Sequence, residues 1–250
     1  MSAAVWPLAL GVLGAIFGSF IAALAIRWPE GRSVMRGRSA CDRCGATLRP
    51  VELVPVLSCR VQRGRCRACG GRIDPWHVGV ELAGIAIGIA AGFAAPGGTG
   101  CAGAVFGWLL LALAALDLRA FWLPDRLTAL LAVTGPASAL MNVPPAFSDR
   151  LIGGVAGYGA LAAIAGAYRL WRGRAGMGGG DPKLMGGIGL WLGWRMLPAV
   201  LVIASLIGLG FALFARARGA KVTGDMPLPF GTLLAIAAYA AWIAMIGWRV

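Results

Sequence analysis

Histidine is almost missing: the chain of 250 residues has one, His77. One imidazole cannot furnish both ligands of an HExxH metalloprotease helix, and without convincing Ser and Asp companions it supports no serine triad. His77 reads as an interface residue, not as a ligand. Acidic residues are scarce too, ten against 23 Lys and Arg, and charged side chains make up only 13% of the chain. What takes their place is apolar. Hydrophobic residues reach 59% and mean hydropathy is +0.77, where soluble domains lie near ~45–50% apolar.

That excess is gathered into runs almost free of charge, at residues 5–26, 80–95, 101–116, 127–141, 152–170, 197–214 and 228–248. A membrane span needs about 20 mainly apolar residues, fewer where neighbouring helices bury it. The shorter stretch 184–194 reads as an eighth, partly inserted helix. The expected fold class is an all-α polytopic membrane protein with seven to eight transmembrane helices. The 39 glycines fit this, because small residues let membrane helices approach closely. The first run has no basic segment before it, and Arg27 and Arg32 follow it. It is expected to be a retained first helix with its N-terminus outside.

A formal charge of +13 could suggest a nucleic-acid partner. Topology explains it instead. With residues 27–76 in the cytoplasm and the spans alternating, all of the 23 basic residues fall on the inside except Arg150, Arg195 and Arg249. Nucleic acid is therefore not expected as a partner. Anionic membrane lipid is, because arginines crowd the inner face.

The expected organisation is a first transmembrane helix (residues 1–26), a polar insertion (residues 27–76) and a transmembrane bundle (residues 77–250). The insertion is rich in Arg and Gly, carries five of the six cysteines, and is too short to bury a large core. Cys41-Asp-Arg-Cys44 and Cys66-Arg-Ala-Cys69 are two CxxC pairs 21 residues apart, each followed by a glycine, Gly45 or Gly70. A glycine there permits the tight turn that lets two thiolates face one ion. Four thiolates at this spacing suit a structural zinc site, so the insertion is expected to be zinc-ribbon-like. Disulfides are disfavoured on the cytoplasmic side. Cys59 falls outside the pattern, and Cys101 reads as packing.

With so few acids, each can be weighed. Glu30, Asp42, Glu52 and Asp74 read as solvated charges of the insertion; Asp149 and Asp225 flank loops. Asp117 ends the third span, and Asp181 follows Gly178-Gly179-Gly180 and opens the short 184–194 segment. By the topology above, both lie at the cytoplasmic edge of the bilayer. An ionisable residue at a span is a functional candidate. Two carboxylates brought together can share one proton, so that one holds it while the other activates water. The alternative is structural, with Asp181 capping a helix and Asp117 pairing with Arg119. Asp125, after Pro124, reads as an acid in a first helical turn. Glu81, within the second span near its inner end, can reach an arginine of the insertion.

Taken together these segments resemble a known family, the bifunctional prepilin leader peptidases, which are aspartic peptidases of the GxGD type. The resemblance rests on Gly18-Ser19-Phe20 with Arg27-Trp28-Pro29, on the stretches around both CxxC pairs with Pro55-Val56-Leu57-Ser58, and on Val80-Glu81-Leu82. It continues through Asp117 with Leu123-Pro124-Asp125, Gly178-Gly179-Gly180-Asp181-Pro182-Lys183-Leu184, and Pro229-Phe230-Gly231. Two departures are Ala22, where an Asn is common, and Cys59, where an aromatic is common.

The resemblance implies that Asp117 and Asp181 are the catalytic aspartates. It implies cleavage of the leader of type IV prepilins or type II secretion pseudopilins at the cytoplasmic face of a bacterial inner membrane. It also implies N-methylation of the new N-terminus with S-adenosylmethionine, for which no binding residues can be placed. Two other classes compete on the residues alone. One is an ion or proton transporter with membrane-edge aspartates, which leaves the CxxC pairs unexplained; the other is a noncatalytic assembly scaffold with a zinc docking module.

Overall fold

The computed structural model describes residues 4–35, 37–174, 176–219 and 228–247. Asp225 and Arg249, both named above, lie outside the described residues. Each of the eight apolar runs lies largely within a helix. The helices are α1 (Val5–Arg27), α2 (Leu57–Val61), α3 (Pro75–Ala94), α4 (Gly98–Ala120), α5 (Asp125–Ala139), α6 (Phe147–Arg172), α7 (Gly180–Leu192), α8 (Leu197–Ala217) and α9 (Phe230–Gly247), with 3-10 turns at Pro50–Leu53 and Trp194–Met196. Among the described residues there is no strand, only two isolated bridges.

The chain is thus all-α and polytopic, and six helices among the described residues are long and apolar enough to cross a membrane. Two further helices on apolar runs, α5 and α7, are shorter, with 15 and 13 residues. At 1.5 Å per residue they reach only about 20–23 Å, against a hydrocarbon core of ~30 Å. Their ends are set locally. Pro124 precedes α5, a glycine run precedes α7, and Gly193 at φ 72° stops α7.

By packing the chain forms two compact units, Met1–Ala115 and Leu116–Val250, that divide within α4. Packing places α1, the insertion and α3 in the first unit. The cause is a glycine seam. A Cβ on Gly14 would strike the Gly84 carbonyl, one on Gly88 the Leu10 carbonyl, and one on Gly18 would come within 2.7 Å of Glu81 Cα. The two helices therefore run antiparallel at backbone contact, a packing gain that lipid cannot match. Trp108 of α4 stacks on Phe17 at 4.6 Å and donates its indole N–H to the Gly84 carbonyl at 3.1 Å.

α3 begins five residues ahead of its apolar run because Pro75 sits at its first position and Asp74 caps it, accepting from the Trp76 amide at 2.9 Å. The insertion is tied to the end of α1 through Asp42. That carboxylate accepts from Arg27 Nε at 3.0 Å and lies 3.7 Å from Arg32 and 3.4 Å from His77 Nε2. The hydrogen bond with His77, aided by Arg27 and opposed by burial, brings its carboxyl down to about 2. Asp42 is therefore a tether, not a freely solvated charge. Glu52 and Asp74 likewise accept from backbone amides.

Glu81, which could have reached an arginine of the insertion, is buried and accepts the Val56 amide at 2.7 Å. Val56 sits at φ 62° and ψ -50°, a strained backbone for a β-branched residue. The hydrogen bond that its amide donates to Glu81 helps to hold it there.

In the second unit α7 is the core. Ten of its thirteen residues are buried, against α5, α6 and α9. Its seam with α6 is again glycine. A Cβ on Gly153 would come within 2.5 Å of the Gly189 carbonyl, and one on Gly157 within 2.7 Å of the Met185 carbonyl. Arg150, in the first turn of α6, is 0% exposed. Its guanidinium donates to the carbonyls of Gly135, Val143, Pro144, Pro145, Leu190 and Trp191 at 2.8–3.2 Å.

Candidate active site

Asp117 and Asp181 are each 5% exposed and both belong to the second unit. Asp117 stands three residues before the end of α4, where the helix dipole disfavours a carboxylate. The start of α9 compensates. The Thr232 amide donates to Asp117 Oδ2 at 2.7 Å, and the Thr232 hydroxyl donates to the same oxygen at 3.0 Å. Asp181 is the second residue of α7, and its Oδ2 accepts the Gly178 amide at 3.1 Å.

The glycine run before Asp181 thus folds back onto the carboxylate. Sequence reading offered helix capping as one role for Asp181; the amide it accepts, that of Gly178, lies before the helix, and α7 has no side-chain cap at its N-cap, Gly179. The donors that hold Asp117 come from Thr232, where Arg119 was the structural alternative.

The two acids share one wall. A Cβ on Gly231 would lie 3.1 Å from Asp117 Oδ2 and 2.9 Å from Leu123 Cδ1; one on Gly180 would lie 2.7 Å from Leu123 Cβ. Leu123 therefore separates the glycine before Asp181 from the glycine beside Asp117, and neither glycine has room for a side chain. Two carboxylates that flank one wall can share a proton.

Asp125 stands apart from the pair. It opens α5 and forms an ion pair with Lys183 at 2.6 Å, which links the starts of α5 and α7. Thr232 was missed in the sequence. Its one signal is that it follows Pro229-Phe230-Gly231 at the start of a span, where a hydroxyl has no lipid-facing use.

In the insertion, the Sγ atoms of Cys41, Cys44, Cys66 and Cys69 all lie within 4.8 Å of one another, and the group could hold a metal ion. Each CxxC closes a tight turn: Gly45 at φ 73° donates to the Cys41 carbonyl at 2.9 Å, and Gly70 at φ 67° to the Cys66 carbonyl at 2.8 Å. The amides of Cys69 and Ala68 bring the Cys66 thiol down to about 7. The Ala46 amide favours the Cys44 thiolate, yet Cys69, burial, Cys41 and Cys66 outweigh it and push that thiol up to about 11. Four thiols this close cannot all ionise without a cation among them. Cys59 and Cys101 are not in the cluster.

Fold and site together define a class: a helical membrane protein with a buried carboxylate pair at two helix ends and a four-cysteine insertion. Comparison with known proteins gives the family. The Bacterial Peptidase A24 N-terminal domain profile matches residues 12–94, and that of the Type IV leader peptidase family matches residues 104–213. A "Prepilin leader peptidase/N-methyltransferase" of Burkholderia pseudomallei is 42% identical over 200 residues, 79% of this chain and 64% of that protein.

Proteins of the same name from Aeromonas hydrophila and Dickeya chrysanthemi are 37% and 35% identical, covering 86% and 93% of this chain and 73% and 90% of theirs. The chain therefore spans a little under two thirds of the Burkholderia protein and nearly all of the Dickeya one. No solved structure matches. The chain belongs to the type IV leader peptidase family.

Proposed function

We propose that this chain is a membrane aspartic endopeptidase that removes the leader of type IV prepilins or type II secretion pseudopilins at the cytoplasmic face of a bacterial inner membrane. What supports the reading is that Asp117 and Asp181, far apart in the chain, are both buried at helix ends, and that the glycines beside them, Gly231 and Gly180, both face Leu123. One carboxylate takes a proton from water, and the resulting hydroxide attacks the scissile carbonyl. The other donates its proton to that carbonyl oxygen, and the leaving amine is protonated as the C–N bond breaks.

Incubating the purified full chain in nanodiscs with a type IV prepilin tests it. Leader release is expected; a folded chain that leaves prepilin intact overturns the proposal.

Thr232 fixes the orientation of Asp117 through two donors on one oxygen. Thr232→Val keeps the amide and removes the hydroxyl. Loss of one hydrogen bond to a carboxylate is worth about 1.5–3 kcal/mol, so kcat is expected to fall roughly tenfold or more, and Thr232→Ser to restore it.

The cysteine cluster fits zinc. Tetrahedral Zn–S bonds of about 2.3 Å place the sulfurs about 3.8 Å apart, within the 4.8 Å limit observed. Cys41, Cys44, Cys66 and Cys69 would hold the ion, which crosslinks the two knuckles of a segment with little apolar core. Purified protein is expected to carry one zinc. Cys41→Ser is expected to give it up to a chelator on the order of 100-fold more readily, and trypsin should then cut the arginine-rich insertion.

The relatives' name implies a methyl donor, S-adenosylmethionine. A cavity of about 220 Å³ lined by Pro145, Asp149, Leu192, Gly193, Arg195 and Met196 lies at the far end of α7 from Asp181. That is about 17 Å along the helix axis, too far to serve a peptide end held at Asp181. That cavity does not fit the donor's role, and no step is derived through it.

A further inference from the structure

The insertion leaves its largest apolar side chains uncovered along one short stretch. Val51, Leu53, Val54, Leu57 and Val61 are all exposed, Val61 at 82% and Val51 at 67%. They lie on the Pro50–Leu53 turn, at Val54 just after it, and on α2. The same region is strongly cationic: Arg49, Arg60, Arg63, Arg65, Arg67 and Arg72 stand against a single acid, Glu52, which is engaged with the Arg49 amide.

The structure also ties this stretch to α3. Glu81, six residues into α3, grips the Val56 amide at 2.7 Å. Six residues of helix are about 9 Å, and α3 is long and apolar enough to cross a membrane. The turn between Val54 and Leu57 is therefore held beside the first two turns of a spanning helix.

We propose that this edge of the insertion rests in an anionic membrane surface, with Val51, Leu53, Val54, Leu57 and Val61 in the headgroup and upper acyl region and the arginines on lipid phosphates. Apolar side chains flanked by cations are the pattern that binds such an interface, since buried apolar area and attraction to anionic lipid add together. Two features argue against the edge being a loose loop. Val56 is held at positive φ by Glu81, and the cysteine knuckles fix the arginines that follow. The proposal rests on α3 lying in the membrane and does not need the peptidase reading.

The test uses the full chain in nanodiscs with a fluorescent amino acid in place of Val61 or Leu57, so that no catalysis enters the readout. With anionic phosphatidylglycerol present, lipids brominated near the headgroup are expected to lower the emission roughly twofold, and aqueous acrylamide to have little effect. In phosphatidylcholine alone the bromolipid effect should weaken. Free access of acrylamide without bromolipid quenching overturns the proposal. Protection from both quenchers does so as well, since the edge would then be covered by protein, such as a second copy. Equal quenching without anionic lipid also overturns it. Val61→Asp with the probe at Leu57 supplies the second variant, in which loss of bromolipid quenching is expected and unchanged quenching counts against the proposal.

Discussion

Asp181→Asn and Asp117→Asn are each expected to reduce leader cleavage by on the order of 10³-fold while leaving the protein folded. The choice of asparagine matters. Its amide oxygen can still accept the Gly178 amide in place of Asp181 Oδ2, and at position 117 it can still accept both donors of Thr232. Shape and these hydrogen bonds are kept; only the capacity to hold or release a proton is lost.

A capping role for Asp181, or a purely structural one for Asp117, would pass through the asparagine variants with activity nearly intact. A proton-sharing pair would not. Residues that act as one unit also fail to add, so the double variant is expected to be no slower than either single one. Prepilin cleavage by purified protein, with a thermal melt to show folding, decides the matter. A rate above about a tenth of wild type for either variant, set against the range that acid-base catalysis spans, would remove that residue from the chemistry.

The spans were legible because lipid demands long uncharged runs, and such runs appear without any tertiary information. Their ends were less legible. α3 starts at Pro75 because of an Asp74 cap, and α6 starts at Phe147, ahead of an apolar run from 152, with Asp149 and Arg150 already inside the helix. The cysteine cluster could be read from spacing alone, since each CxxC is a local turn and the bridging ion needs no further residue.

Asp117 and Asp181 stood out because acids are rare here. What brings them together, Leu123 between two glycines and Thr232 at the start of α9, depends on helices distant in the chain. Glu81 was noticed without being given a role. A carboxylate in a cation-rich chain suggests an arginine, but a strained backbone amide was nearer.

Arg150→Met is expected to destabilise the second unit by about 3–5 kcal/mol, the usual cost of leaving buried polar partners uncompensated. In the sequence this residue stood out only as one of three cations outside the expected inner loops. Its position shows how a buried cation is held. It sits in the first turn of α6, where its own helix dipole repels a cation, so compensation has to come from elsewhere.

Leu190 and Trp191 close α7, whose last carbonyls have no intrahelical donor, and Gly135 lies in the last turns of α5. Val143, Pro144 and Pro145, in the loop between α5 and α6, supply three more carbonyls that the same guanidinium satisfies.

Lysine offers three donors on a single nitrogen and cannot reach carbonyls spread around a planar fork. Arg150→Lys should therefore recover only part of the loss. Because α7 carries Asp181 at its other end, activity should fall together with stability in Arg150→Met, unlike the aspartate variants, where activity falls alone. Thermal unfolding in nanodiscs reads the first quantity and prepilin cleavage the second. A melt of Arg150→Met within a few degrees of wild type, where about 3–5 kcal/mol should shift it by several degrees or more, would show that those carbonyls find other donors and that the guanidinium is not what closes α5 and α7.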